Sequence, residues 1–149
     1  MGGLIGGVAG LAGGIFVADR NYQFANRELS SQQRVDAANA QITRLDALAG
    51  AADATAAENR RKLDNLDRQY RAGQITAAEY GQRTESMRKD LEEMQKAVGN
   101  AKEMREELIS SAGSLPQLQE AEERMGPPQR RLEASAAELD EMLQRVPTV

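Results

Sequence analysis

At residues 71–80 the chain reads RAGQITAAEY, and this stretch predicts where one helix ends and the next begins. Gly73 suits the left-handed backbone position just past the end of a helix. Thr76 and Glu79 have the spacing of a capping box, in which each side chain accepts a hydrogen bond from the other residue's amide. Ile75 and Tyr80 flank the cap as a hydrophobic staple does. We therefore expect a helical hairpin that turns at this point.

Apolar residues spaced three and four apart run through the sequence on both sides of the turn, as in the packing stripe of a coiled coil. The stripe before the turn consists of Val35, Ala38, Ile42, Leu45, Ala49, Ala52, Ala56, Leu63, Leu66 and Tyr70. The stripe after it consists of Tyr80, Met87, Leu91, Met94, Val98, Ala101 and Leu108. Asn59 is the polar exception on the first stripe, where it either sets the register or faces solvent at a frayed point. The pattern predicts a long antiparallel coiled-coil hairpin over residues 19–112, with its turn at 73–75.

Part of this hairpin resembles a known module. The residues that carry the resemblance are Leu63-Asp-Asn-Leu66, Tyr70, Gly73, Ile75-Thr76 and Glu79-Tyr80. They are similar to the short helical-hairpin motif called SHOCT, over residues 63–84, whereas Gly81, Arg83, Thr84 and Met87 depart from the family pattern. The resemblance implies a bacterial protein with a nearby membrane segment and a role in oligomerisation. A well-capped turn without any family relation would account for the same residues.

Residues 1–18 contain no charged or polar side chain, and Asp19-Arg20 ends this run. Glycine recurs every four residues at Gly2, Gly6, Gly10 and Gly14, so a helix here would carry all four on one face. A bilayer favours a helix because the backbone must satisfy its own hydrogen bonds there, and a smooth face lets a second helix approach closely. Eighteen residues reach about 27 Å, just short of a hydrocarbon core. The run resembles the glycine-zipper segments of bacterial envelope proteins, which implies a membrane helix that oligomerises.

A flexible linker, a signal peptide and a myristoylation site are weaker interpretations of residues 1–18. A flexible linker is usually polar and has no periodicity. A signal peptide begins with basic residues, and none precedes position 20. N-myristoylation requires Ser or Thr where this chain has Gly6. The possibility that Met1 replaces a removed signal peptide or lipobox cysteine stays open.

Residues 113–149 predict two short helices followed by a tail. Ser114 is placed as an N-cap, with Pro116 in the first helical turn. The sequence Gly126-Pro127-Pro128 predicts a break, because proline cannot continue a helix and restricts the residue before it. The last helix, at about 129–145, carries Leu132, Ala136, Leu139, Met142, Leu143 and Val146 on one face. That face must pack against the hairpin or against another copy of the chain.

The composition argues against catalytic chemistry. The chain has no histidine and no cysteine, which removes the usual general base near neutral pH and all thiolate chemistry. Aromatic residues make up 3% of the chain, so a large globular core is not expected. Adjacent carboxylates such as Glu92-Glu93 point in different directions on a helix and form no catalytic pair. We expect an all-α protein that is not an enzyme, with no cofactor, metal, small-molecule substrate or nucleic acid.

These features together predict a membrane-anchored helical scaffold that self-associates through the glycine zipper and the coiled-coil hairpin in a bacterial envelope assembly. The expected partners are further copies of the chain, the lipid bilayer, and other envelope or secretion proteins. One alternative is a pore- or channel-forming component of a secretion or phage ejection complex, and another is a soluble coiled-coil adaptor. Charges beside the apolar segment are mixed in sign, so the sequence does not give its topology or choose between inner and outer membrane.

Overall fold

The computed structural model describes residues 22–148, which form four α-helices and one 3-10 turn and include no β-strand. The 3-10 turn is Gln23–Ala25, and the α-helices are α1 (Ser31–Arg71), α2 (Ala77–Arg83), α3 (Glu85–Ala112) and α4 (Pro116–Gln144). The all-α class that the sequence predicts is confirmed for this part of the chain.

Helix α1 begins at Ser31, later than the expected hairpin, which extends back to residue 19. Its start is fixed by a capping box in which the Ser30 hydroxyl accepts from the Gln33 amide at 3.1 Å. The Gln33 side chain accepts in turn from the Ser30 amide at 3.0 Å. Two of the amides that have no partner inside the helix are satisfied in this way, so the helix starts here. Residues 22–30 therefore precede the long helix, which corrects the expected boundary.

The turn after α1 has the backbone that its sequence predicts. Gly73 adopts a left-handed φ of 76°, and its amide donates to the carbonyl of Tyr70 at 3.0 Å. Thr76 caps α2 with both bonds of the expected capping box: its hydroxyl accepts from the Glu79 amide at 3.1 Å, and the Glu79 carboxylate accepts from the Thr76 amide at 2.9 Å. The chain therefore reverses between Arg71 and Ala77.

The second arm of the hairpin is interrupted, whereas the sequence predicts one continuous helix. Thr84 separates α2 from α3 and has φ −100° and ψ 2°. Its side-chain hydroxyl donates to the carbonyl of Gly81 at 2.8 Å, and its amide donates to the same carbonyl at 3.1 Å. A threonine that bonds back to the preceding turn competes with the regular helical ladder and bends the helix.

Helix α4 runs unbroken through Gly126-Pro127-Pro128, so the predicted break into two short helices is wrong. Arg105 of α3 spans this stretch, donating to Glu122 at 2.5 Å on one side and to Gln129 at 3.3 Å on the other. A Cβ at Gly126 would be in ordinary van der Waals contact with the Arg105 guanidinium, at 3.6 Å, and would lie only 3.0 Å from the guanidinium of Arg130. Tertiary contacts thus hold together a helix that the local sequence disfavours.

The three long helices form a bundle. Arg131–Asp53 and Arg60–Glu138 ion pairs join α4 to α1 in parallel order, whereas α3 runs antiparallel to both. The contacts of α4 with α1 and with α3 are more extensive than those between α1 and α3. The two arms form the predicted antiparallel hairpin, and α4 packs on both of them as a third helix, which is one of the two placements that the sequence leaves open.

The core is built mainly from leucine, methionine and alanine, with Phe24 and Tyr80 as its buried aromatic residues. Fourteen of the seventeen residues on the two predicted stripes are buried, and they include Val35, Ile42, Leu45, Leu63, Leu66, Met87 and Met94. Leu91 and Val98 are only partly buried, and Tyr70 is 38% exposed. The buried stripe of α3 also includes Asp90, Ala97 and Met104, which are not on the predicted stripe.

Candidate functional site

Different segments of the chain lie at the two ends of the bundle, which we call the proximal and the distal end. The proximal end carries the first described residues around Phe24, the start of α1, the end of α3 and the start of α4. Arg34 holds this end together, donating to the carbonyl of Phe24 at 2.8 Å and to that of Ser111 at 2.6 Å. Phe24 is fully buried and its ring stacks on that of Tyr22 with 5.0 Å between centroids. The first described residues are thus fixed to the bundle.

The predicted oligomerisation residues Gly2, Gly6, Gly10 and Gly14 lie outside the described residues, as does the whole apolar run 1–18. Among residues 22–148, no helix is both long and apolar enough to cross a bilayer.

The distal end carries the hairpin turn, in which Ile75 and Tyr80 pack inward and the capping residues Thr76 and Glu79 are exposed. Tyr80 is 4% exposed, and its hydroxyl donates to the carbonyl of Leu63 at 3.5 Å. The ring of Tyr70 meets the ring of Tyr80 edge to face, with 5.8 Å between centroids. Ile75 is buried in the same apolar cluster. The five predicted turn residues are therefore brought together, and they act as a structural joint that closes this end of the bundle.

Charged groups at the turn are used for capping. The hydrogen bond from the Thr76 amide lowers the pKa of Glu79 below its ordinary value, so the cap stays ionised near neutral pH. Burial, followed by the nearby carboxylate of Asp67, raises the pKa of Tyr80. The phenol therefore stays protonated and keeps its donor for Leu63.

An open groove of about 760 Å³ lies between α1 and α4 at the distal end. Its floor includes Leu63, Tyr80 and Met142, and its rims carry charged residues from both helices. The three arginines of the rims are each paired with a carboxylate, in the pairs Arg60–Glu138, Arg71–Asp67 and Arg145–Glu141. Mutual pairing leaves these rims little unused charge with which to recognise a ligand.

Asn59 and Asp90 form a polar contact inside the core. Asn59 is 2% exposed and donates to the Asp90 carboxylate at 3.1 Å, joining α1 to α3. Burial raises the pKa of Asp90, whereas the hydrogen bond from Asn59 and the charge of Lys62 lower it. Asn59 is the polar residue on the predicted packing stripe, and it is buried rather than facing solvent. Its partner, Asp90, lies on the other arm of the hairpin and next to Leu91, which the predicted stripe includes in its place.

Asp53 joins α1 to α4 in a second polar contact. It accepts hydrogen bonds from the Ser135 hydroxyl and, at 2.6 Å, from Arg131. Burial alone would raise the pKa of Asp53, but these two donors outweigh it, and the pKa lies below its ordinary value. The carboxylate is therefore an ionised link between helices. No group of three or more acidic side chains placed to hold a metal ion occurs among residues 22–148.

The chain matches no protein-family model, and no curated protein or solved structure is significantly similar to it.

Proposed function

We propose that this protein is a non-enzymatic, membrane-anchored helical module that self-associates through its glycine-rich segment. The observation that carries the proposal is the position of that segment in the sequence, before the first described residues. The uncharged run 1–18 directly precedes the proximal end of the bundle, where Arg34 fixes the chain at Phe24. The hairpin turn lies at the opposite end of α1.

The length of α1 gives the module a physical role. Its 41 residues extend about 60 Å, so the bundle holds the hairpin turn at that distance from the point where the chain enters. Ion pairs between helices, such as Arg131–Asp53 and Arg105–Glu122, support a stiff spacer. The module would present its distal end to an envelope or secretion protein.

Self-association is assigned to residues 1–18 rather than to the hairpin. Tyr80 and Leu63 of the SHOCT-like hairpin are buried within the bundle, and the large hydrophobic side chains exposed among residues 22–148 are those of Tyr70 and Ile109. Isolated exposed hydrophobic residues are ordinary on soluble surfaces and do not make an association surface. A glycine face, in contrast, promotes close helix packing in a bilayer.

The test compares the full chain with Gly6→Leu/Gly10→Leu, which fills the predicted glycine face, and with Val8→Leu/Ala12→Leu, which adds apolar volume on the opposite face of the predicted helix. Membranes are washed with carbonate and the retained protein is crosslinked. We expect all three chains to stay in the membrane, and we expect only the Gly6/Gly10 variant to lose its oligomer ladder. A wild-type chain recovered in the soluble fraction would replace this proposal with the soluble adaptor. A ladder that survives in the Gly6/Gly10 variant would reject the glycine face.

A further inference from the structure

Hydrophobic side chains that are not fully buried occur together at the proximal end of the bundle. Ile109 lies about one turn before the end of α3 and, at 55% exposed, is the most exposed large hydrophobic residue among residues 22–148. Tyr22, Leu29 and Leu115 are partly buried. Leu29 lies in the segment before α1, and Leu115 immediately precedes α4. Hydrophobic side chains from three different segments therefore reach solvent at this end.

Printed contacts show that these segments are neighbours in space. The 3-10 turn packs on both α1 and α3. Arg34 donates to the carbonyls of Phe24 and Ser111, which joins the first described residues to the last turn of α3. The ring of Tyr22 stacks on that of Phe24, and the amide of Leu115 donates to the last residue of α3 at 2.9 Å. The proximal end is thus one surface on which Tyr22 and the end of α3 lie close together.

The distance along the chain ties this surface to the apolar run. The uncharged residues 1–18 end four residues before Tyr22. An extended chain covers at most about 3.6 Å per residue, so Tyr22 lies within about 14 Å of the end of the run. With the run in a bilayer, as proposed above, the proximal end must lie at the membrane surface. The distal end, about 60 Å away along α1, is under no such constraint.

Carboxylates limit how deeply the proximal end can enter a membrane. Glu106 lies three residues before Ile109, and therefore on nearly the same face of α3 and about 4.5 Å farther from the helix end. Glu107 and Glu120 are also exposed near this end. An ionised carboxylate is costly to move into hydrocarbon, and anionic headgroups repel it. The contact that suits this end is therefore shallow and apolar.

We propose that the proximal end of the bundle rests on the headgroup layer of a zwitterionic bilayer, with Ile109 and Tyr22 in contact with lipid and the bundle standing upright. This inference rests on the proposed membrane anchor and adds the orientation of the bundle. Tyrosine favours the membrane interface because it combines an apolar ring with a polar hydroxyl. Contact with lipid removes apolar surface of Ile109 from water. The upright bundle holds the hairpin turn about 60 Å from the membrane.

The test uses single spin labels, which can be placed at one position because the chain has no native cysteine. Ile109→Cys and, in a separate chain, Gln95→Cys are labelled and reconstituted as full chains into phosphatidylcholine vesicles. Gln95 is exposed and lies about four turns earlier on nearly the same face of α3, about 21 Å farther from the proximal end. Power saturation by electron paramagnetic resonance measures how often each label collides with oxygen, which partitions into lipid, and with a water-soluble nickel chelate.

We expect the label at position 109 to collide more with oxygen than with the nickel chelate, and the label at position 95 to show the reverse. More collisions with the chelate at position 109 would overturn the proposal, because this end would then lie in water. Few collisions with either reagent there would overturn it too, since protein, such as a second copy, would then cover Ile109. Oxygen-favoured collisions at both positions would mean that the bundle lies on its side.

A carbonate wash of the same vesicles separates failure of this inference from failure of the anchor. The three contradicting results count against the upright bundle alone when the labelled chain stays in the washed vesicles. Loss of the chain from the washed vesicles would reject the membrane anchor and, with it, this inference. Circular dichroism of both labelled chains checks that the bundle is folded.

Discussion

Asp90 is a carboxylate in the core, 7% exposed, and it receives one side-chain hydrogen bond, from Asn59. Removing a partner from a buried charged group costs more than the bond itself contributes, because the group is left without a donor and without water. We expect Asn59→Ala to lower the free energy of unfolding at pH 7 by about 1–3 kcal/mol. Chemical denaturation of the full chain measures this. Asn65→Ala, an exposed position on the same helix, should change it by less than about 0.5 kcal/mol.

The decrease in the free energy of unfolding that Asn59→Ala causes should depend on pH in one direction. Burial raises the pKa of Asp90, and the Asn59 hydrogen bond opposes this, so removing the bond raises the folded-state pKa further. A raised folded-state pKa means that the folded state prefers the protonated acid, and stability falls as pH rises through that pKa. The deficit of Asn59→Ala should therefore be largest near pH 7 and shrink towards pH 4. An equal deficit at both pH values would contradict the role of the Asp90 charge.

For single residues, the sequence predicts the structural role correctly when the interacting partner is close along the chain. The capping box of Thr76 and Glu79 and the left-handed Gly73 are local, and each can be predicted from a few positions. Asp90 is different, since its burial depends on Asn59 across the hairpin. Leu91 and Val98 are large and apolar, so the sequence predicts that they are on the buried face of α3. In the structure they are only partly buried, and Asp90 lies on the buried face.

Helix α4 carries two prolines that the local sequence treats as a break. Pro127 is exposed, so replacing it with alanine restores a backbone donor without removing core packing. We expect Pro127→Ala to raise the free energy of unfolding by about 1–3 kcal/mol, less than the full cost of an interior proline because Pro128 stays and the unfolded chain gains freedom. Thermal and denaturant unfolding of the full chain measure the change.

Pro116 provides the matched control for that substitution. It occupies the first turn of the same helix, where a missing amide donor costs nothing and the fixed φ favours the helix. Pro116→Ala should therefore leave stability unchanged or lower it by up to about 1 kcal/mol. If Pro116→Ala stabilised the chain as much as Pro127→Ala, the gain would reflect helix propensity alone.

Elements are predictable from the sequence where local and tertiary preferences agree. The end of α1 and the start of α2 are in this class. Pro127-Pro128 are not, because Arg105 from another helix spans them. The interruption at Thr84 rests on a local contact, from its hydroxyl to the carbonyl of Gly81, but a threonine in a helical pattern does not by itself show that this bond replaces the regular ladder. A rule based on a single helix therefore gives the wrong answer at the prolines.

On the scale of the whole molecule, the apolar stripes show that helices pack together, but they do not give the number of helices in the core. The stripe of the first arm fits a two-helix coiled coil as well as a bundle. The apolar face of α4 decides between these two arrangements. From the sequence alone, this face could pack either on the hairpin or on another copy of the chain. The ion pairs Arg131–Asp53 and Arg105–Glu122 place that face within the same chain, between the two arms.

If α4 is an integral part of the core, a chain shortened to residues 1–113 cannot keep the fold of the hairpin. The arms would lose the residues that cover their buried stripes, and Asp53 and Arg105 would lose their partners. We expect this variant to melt without a cooperative transition, measured by circular dichroism in neutral detergent. A chain shortened to residues 1–146 keeps all of α4 and the buried Val146, so its melting temperature should stay within about 3 °C of the full chain. A cooperative transition at the wild-type temperature in the 1–113 variant would mean that the two arms fold as an independent coiled coil, and α4 would then be an accessory helix.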